Sequence, residues 1–272
     1  TRPVLTTLLV SPKAFLQGGF SSGLMRDNLR TTVGFPTTEP YTATTTYTHS
    51  GSGGGETIPV SLLGATGTPA NDLVDWVFVQ LHRSSDGAVV ATRSVLIERD
   101  GDLFDLDGTN TKTNFVNFAG EVAGSYYISI RHRNHLGIRS AGLLTLSRTA
   151  TTSIGADFTT SLASALAVTG TPTTNNAMAT LPGVLLYGLC CGNARINTPF
   201  NFVSYTGSSN DQQALLNIGL GGNKSATINS YSIYDLNLNG VVSYTGSSND
   251  QALLLNIVLG GNKSLILYQA PF

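Results

Sequence analysis

Residues 73–98 read LVDWVFVQLHR-SSDG-AVVATRSVLIE, two runs rich in valine, leucine and isoleucine on either side of an Asp86-Gly87 pair. In the first run Val74, Trp76, Phe78 and Gln80 alternate with Leu73, Asp75, Val77, Val79 and Leu81. Alternate side chains of an extended chain face opposite ways, and Asp-Gly between two β-rich runs is a hairpin signal. The pattern recurs in DLFDLDG (102–108), GSYYISIRHR (124–133) and IRSAGLLTLS (138–147), the last two joined by NHLG. Short strands at this spacing predict a mainly β fold, an antiparallel, Ig-like β-sandwich over residues 1–150. Upstream, VLTTLLV (4–10) and KAFLQGGF (13–20) read as extended, and MRDNLR (25–30) as one or two helical turns. Residues 31–56 form a long Thr-, Pro- and Gly-rich loop, a length that marks a functional or peripheral segment.

Charged residues are only 11% of the 272, against roughly 25% in an ordinary globular chain. Hydrophobic residues, at 41%, are enough for a packed core. A net charge of −1 with no basic run argues against nucleic acid. No apolar stretch approaches the roughly 20 residues of a membrane-spanning helix. The chain starts at Thr1 without an initiator Met, so the expectation is an extracellular or cell-surface protein whose signal peptide has been removed. Cys190 and Cys191 are adjacent, a spacing that bridges only with strain, which argues against a stabilising disulfide.

Past a polar connecting segment (151–184) with one helical candidate, SLASALAV (161–168), the chain repeats itself. VSYTGSSNDQQALLNIGLGGNKS (203–225) returns 39 residues later as VSYTGSSNDQALLLNIVLGGNKS (242–264). The repeats span about 190–225 and 229–264 within a domain of residues 185–272. In each, Asn210-Asp211 or Asn249-Asp250 precedes an apolar run, an N-cap signal. Gly221-Gly222 or Gly260-Gly261 ends it. Helical spacing makes Leu215, Leu216 and Ile218 core candidates, with Leu253, Leu254 and Ile257.

Upstream of the second helix, Asp235, Asn237 and Asn239 alternate and Gly240 follows. That order places oxygen ligands at positions 1, 3 and 5 of a calcium loop, with the glycine at 6. Val241 would add its backbone carbonyl, and Asp250 is a closing carboxylate four residues late. The same residues also fit an Asx-rich turn whose side chains bond its own backbone. In the first repeat the matching positions hold Ile196, Thr198 and Phe200, and only Asp211 persists.

These paired units resemble dockerin-type calcium repeats. DLNLNGVVSYTGSSND (235–250) resembles the variant repeat at the C-termini of secreted surface proteins of Bacteroidota. FLQGGFSSGLMRDNLR (15–30), TEPY (38–41), VDWVFVQL (74–81), VVATRSVLIERDGDLFDLDG (89–108) and YYISIRHRNHLG (126–137) are similar to the β-domain preceding those repeats. The resemblance covers most of residues 12–264. It implies an adhesin- or haemagglutinin-like module with no assigned activity. The family's loop is richer in Asp, so binding here should be weak, roughly 10⁻⁴–10⁻³ M as in extracellular modules.

Other chemistry-bearing clusters read as structural. Asp100, Asp102, Asp105 and Asp107 suit the solvated edge of a hairpin or a metal. His132 and His135, between Arg131 and Arg133, suit a hydrogen-bonded corner in which the arginines pair with acids on a neighbouring strand. No nucleophile elbow, HExxH or phosphate loop occurs.

The first functional reading is therefore a non-enzymatic extracellular structural protein that self-assembles into a filament by strand addition. Val4, Leu5, Leu8, Leu9 and Val10 at one end, and Leu265, Ile266, Leu267 and Tyr268 at the other, would be the joints. The second is an adhesive or glycan-binding module using the 36–56 loop with Tyr41 and Tyr47. A secreted hydrolase is the third.

Overall fold

The computed structural model describes residues 7–147, 154–167, 177–195 and 202–269. The main strands of the first part are β1 (Thr7–Lys13), β2 (Leu73–Arg83), β3 (Val89–Glu98), β4 (Leu103–Leu106), β5 (Val116–Ala119), β6 (Gly124–His132), β7 (His135–Arg139), β8 (Leu144–Leu146) and β9 (Ile154–Asp157). β2 and β3 form the expected hairpin, paired from Leu73↔Glu98 to His82↔Val89. Gly87 takes the positive φ (72°) that its turn demands. A seven-stranded sheet runs β7-β6-β2-β3-β4 to the short strand Lys112–Thr113, with β8 also on β6. A second sheet has the order β9-β1-β5.

The fold is mainly β and antiparallel, apart from the parallel β1–β9 pair. Leu8 and Val10 of β1, Val116 and Phe118 of β5, and Val77 and Val79 of β2 are all fully buried members of one cluster. β1 has a neighbour on each side, so its backbone groups are paired and it offers no free edge. The expected N-terminal joint is corrected accordingly: Leu8 and Val10 are core, Leu9 is half-buried, and Val4 and Leu5 lie outside the described residues.

Residues 73–82 of β2 are buried on both faces. The long loop roofs the face that carries Trp76 and Phe78. Tyr41 and Tyr47 stack within 5.4 and 5.2 Å of the Phe78 ring. The Tyr41 hydroxyl donates to the Trp76 carbonyl at 2.8 Å, Tyr47 to His132 at 2.9 Å, and the Trp76 indole to Pro36 at 2.9 Å. Both tyrosines are therefore buried, not an exposed platform. Burying such a side chain contributes roughly 1.5–3 kcal/mol, which favours roof over display.

The connecting segment is woven into the fold: it supplies β9, and β10 (Met178–Thr180) pairs with β11 (Tyr187–Leu189). SLASALAV makes only a 3₁₀ turn, Leu162–Ser164, capped by Ser161. The chain is extended again at Ala165. Cys190 and Cys191 are free and buried, and burial pushes the Cys190 thiol up to about 12.

Each repeat folds as strand, helix and trailing strand. The first has β12 (Phe202–Ser204), α1 (Asp211–Gln213) and β13 (Thr227–Asn229). The second has β14 (Val241–Ser243), α2 (Asp250–Ala252) and β15 (Ile266–Tyr268). Asn210 and Asn249 cap the helices as expected, accepting the N–H of Gln213 and Ala252 at 2.8 and 2.7 Å. Both helices then widen into π-turns, 214–219 and 253–258.

The wider turn corrects the expected core. With i→i+5 spacing, Leu215 shares its inward face with Leu220, and Leu254 with Leu259. Ile218 and Ile257 swing outward to 71% and 50% exposure, and Leu216 and Leu253 are half-buried. The strands cross over: β12 pairs with β15 and β13 with β14, so each repeat's leading strand takes the other's trailing strand. This corrects the second expected joint, because Ile266, Leu267 and Tyr268 are paired within the chain and Leu265 packs beside them.

Candidate functional site

The second repeat's loop is pressed against the N-terminal segment. Leu236 and Leu238 are fully buried. A Cβ on Gly18 would meet the Leu236 carbonyl at 1.9 Å, and one on Gly240 would meet Thr32 Oγ1 at 2.3 Å. Gly240 sits at φ 83°, the sharp turn expected at the sixth position.

The side chains of Asp235, Asn237, Asn239 and Asp250 all bond the backbone of one loop, where Val241 takes part through its N–H. Asp235 accepts the N–H groups of Asn239 (3.1 Å) and Gly240 (2.8 Å). Asn237 Oδ1 accepts from Asn239, and Asn239 Oδ1 from Val241. Asp250, at the N-terminus of α2, folds back onto the same loop. Its oxygens accept from Leu236 (2.7 Å), Asn237 (3.3 Å) and Ser243 (2.8 Å). Asp235 and Asp250 are both fully buried.

Burial pushes Asp235 up to about 6, with Arg133 pulling the other way. Burial also pushes Asp250 up to about 8, and the charge of Asp235 adds to it. The donor set is all oxygen, the chemistry that hard cations such as calcium take. Two buried carboxylates facing one loop are what such a cation would neutralise. The turn-type hydrogen bonds anticipated as the alternative are present too, and they hold the oxygens in place.

The first repeat solves the same position differently. Asp211, fully buried, accepts from the N–H of Ala194 (3.0 Å) and Ser204 (2.8 Å). Arg195 Nε lies 3.2 Å from its Oδ1. Arg195 Nη1 donates to the Ser209 carbonyl, as Asn237 does to Ser248 39 positions on. Arg195 is thus the counterpart of Asn237. This corrects the uniform 39-residue match, whose Ile196, Thr198 and Phe200 lie outside the described residues. Burial raises Asp211 to about 6 even with Arg195 opposing it.

A second acidic group could hold a metal ion: ligand atoms of Glu98, Asp100 and Asp102 lie within 4.8 Å of one another. It already faces cations of the chain, since Lys112 Nζ is 2.6 Å from Glu98 and Lys13 Nζ 2.8 Å from Asp102. Asp105 and Asp107 are not part of it. Asp105 pairs with Arg93, and Asp107 caps its own turn through Thr109 and Thr111.

The histidine corner is buried and braced. His132 Nε2 and Arg133 Nε both lie 3.0 Å from Asp75 Oδ2, and the Tyr231 hydroxyl donates to Oδ1 at 2.7 Å. Burial alone would raise Asp75, but Arg133 and His132 hold it down at about 2. His132 and His135 touch through their Nδ1 atoms at 2.9 Å, and burial lowers both. The space beside them is only about 10 Å³, too small for a substrate. Arg133 and Asn134 continue into the repeats, donating to the carbonyls of Ser232, Ile233 and Asp235.

Two grooves open on the surface. One, about 340 Å³, lies between the Gln17–Arg26 region and α2 and reaches Asn237. The other, about 270 Å³, lies between Gly54–Ile58 and β3–β4. Its lining includes Glu56, Arg93, Asp105, Asp107 and Asn110, while Trp76 and Phe104, which also border it, are buried. Arg93 is fixed by two bonds to Asp105 (3.0 and 2.8 Å) and lies 3.3 Å from Glu56. Sequence reading missed this groove, because Arg93 and Glu56 are 37 positions apart and only the folded roof joins them. Among the described residues no helix is long and apolar enough to cross a membrane. No family model, curated protein or solved structure matches the chain.

Proposed function

We propose that this chain is a non-enzymatic extracellular binding module, an Ig-like sandwich fused to dockerin-like repeats, that takes a small polyhydroxylated ligand such as a glycan unit. The observation that carries the reading is the Arg93 groove. Its lining is polar and charged, with Arg93 held by Asp105 and Glu56, and its volume of about 270 Å³ is just below the roughly 300 Å³ at which drug-sized sites begin. The internal pairing of β1 and β15 weighs against the filament reading by end-strand addition, and the tight packing around His132 and His135 weighs against that corner as a hydrolase site.

Calcium belongs to the same proposal, held by Asp235, Asn237, Asn239, the Val241 carbonyl and Asp250. There it would brace the repeats against the β-domain, supplying charge and no chemistry. The test of the ligand reading is NMR titration with a panel of mono- and disaccharides. Shifts should cluster at Glu56, Arg93 and Asn110 and should weaken at least tenfold in Asn110→Gly, which keeps the positive φ (61°) but loses the amide. A panel that moves none of these resonances sinks the reading.

A further inference from the structure

Neither repeat is closed by itself. Beyond the crossed strands, six side-chain braces between the repeats come in reciprocal pairs. Gln251 Nε2 donates to the Tyr205 hydroxyl at 2.6 Å, and Gln212 Nε2 to the Tyr244 hydroxyl at 2.6 Å. Thr206 Oγ1 donates to the Lys263 carbonyl at 2.9 Å, and Thr245 Oγ1 to the Lys224 carbonyl at 3.1 Å. Lys263 covers the Tyr205 ring and Lys224 the Tyr244 ring. The four residue types are the same in both repeats, 39 positions apart. This is the pattern of an isologous two-fold interface, where patch i meets j and j meets i, written within one chain.

Such a surface does not depend on which chain its partner repeat belongs to. We propose that the repeat pair is an exchange joint for a second copy of this chain. The segment from Tyr231 onward leaves its own first repeat and seats on that of the other copy, which does the same in return. All contacts are remade: β13 with the incoming β14, β12 with the incoming β15, and Tyr231 with the other copy's Asp75. The product is a closed two-fold dimer carrying two Arg93 grooves.

The hinge is the exposed end of β13 at Asn229–Ser230, just before Tyr231 re-enters the β-domain. One hinge suffices, because everything described beyond it moves as a unit. The first repeat stays behind with its own small cluster of Leu215 and Leu220, which the incoming Val242 completes. Pairing within the chain has the advantage of a short tether, equivalent to a partner at about millimolar concentration. Exchange therefore shows itself when chains reach that density, on a crowded surface or during concentrated refolding.

The cross-strand pair Thr227↔Ser243 tests this independently of any groove ligand. Chains carrying Thr227→Cys alone and Ser243→Cys alone are unfolded together, refolded at about millimolar concentration, and oxidised with copper-phenanthroline. Exchange predicts 227–243 disulfide dimers in clear excess over 227–227 and 243–243 dimers combined. The double variant, oxidised after dilute refolding, should lock the joint within one chain and stay monomeric through the concentrated step. If the double variant closes internally while the mixed single variants give no dimer, or give the three bridges in random 1:2:1 proportion, the proposal is overturned.

Discussion

The two repeats share nearly every residue of a 23-residue sentence, yet they treat one buried carboxylate in opposite ways. In the first, Asp211 has a guanidinium of the chain beside it. In the second, Asn237 stands where Arg195 stood, and a further carboxylate, Asp235, has been added. The first repeat carries its cation covalently, whereas the second has two buried carboxylates and no guanidinium at the matching position. A duplicated scaffold can therefore keep its packing, caps and crossed strands while a few loop positions decide whether stability depends on the medium.

The sharpest break between the repeats is pH. Asp235 and Asp250 have folded values of about 6 and about 8, above the ordinary carboxylate value. The folded state thus holds more protons than the unfolded one, and stability falls as pH rises between about 4 and 8. In chelator, thermal or urea unfolding should show a loss of several kcal/mol across that window. Asp211 contributes only to its lower half. Excess calcium should flatten the upper half, because it favours the ionised pair. A stability that rises with pH in chelator would contradict this.

Arg195→Ala should rank next. It leaves Asp211 buried without its partner, a change that typically costs about 3–5 kcal/mol, and calcium should not restore it. Rescue by calcium would mean that the first loop is also a metal site.

Asp250→Asn should abolish the calcium response of the wild-type chain. At 100 times the dissociation constant, that response is about 2.7 kcal/mol. In chelator at pH 8 the variant should equal or exceed wild type, since it lacks a charge that burial disfavours. Equal losses with and without calcium would make Asp250 a turn residue only.

The smallest effect separates the faces of the π-turn. Ile218→Ser should change stability by less than about 0.5 kcal/mol, whereas Leu215→Ala should cost about 2–5 kcal/mol. Denaturant midpoints compare them directly.

Local signals were legible before the structure. Alternation and Asp86-Gly87 gave the hairpin, Asn210 and Asn249 the caps, and the Arg-His-Arg-Asn-His run a polar corner in which Arg133 pairs with Asp75 as expected but Arg131 lies over the Tyr47 ring. What escaped were features set by partners far away in sequence. The β1–β9 pairing joins segments more than 140 positions apart, and nothing in either names the other. Tyr41 and Tyr47 looked available until Phe78 needed a cover. The π-turns moved Ile218 outward because helical spacing assumes α geometry. Arg195 was hidden because a three-position shift between the loops defeats a uniform 39-residue match. The hydrogen-bonded loop of Asp235, Asn237 and Asn239 was legible because its spacing is local.

The adjacent thiols of Cys190 and Cys191 have a practical consequence. Only a thiolate reacts readily with an alkylating reagent, and both groups are buried, with Cys190 pushed up to about 12. In the closed molecule they should be silent to iodoacetamide. They lie at the start of the first repeat, and a side chain on Gly18, which meets the second repeat's loop, would press on Cys191. Any motion that lifts the repeats from the β-domain should expose them. The rate of carbamidomethylation then becomes a clock for opening, read by mass without a dye or an engineered label.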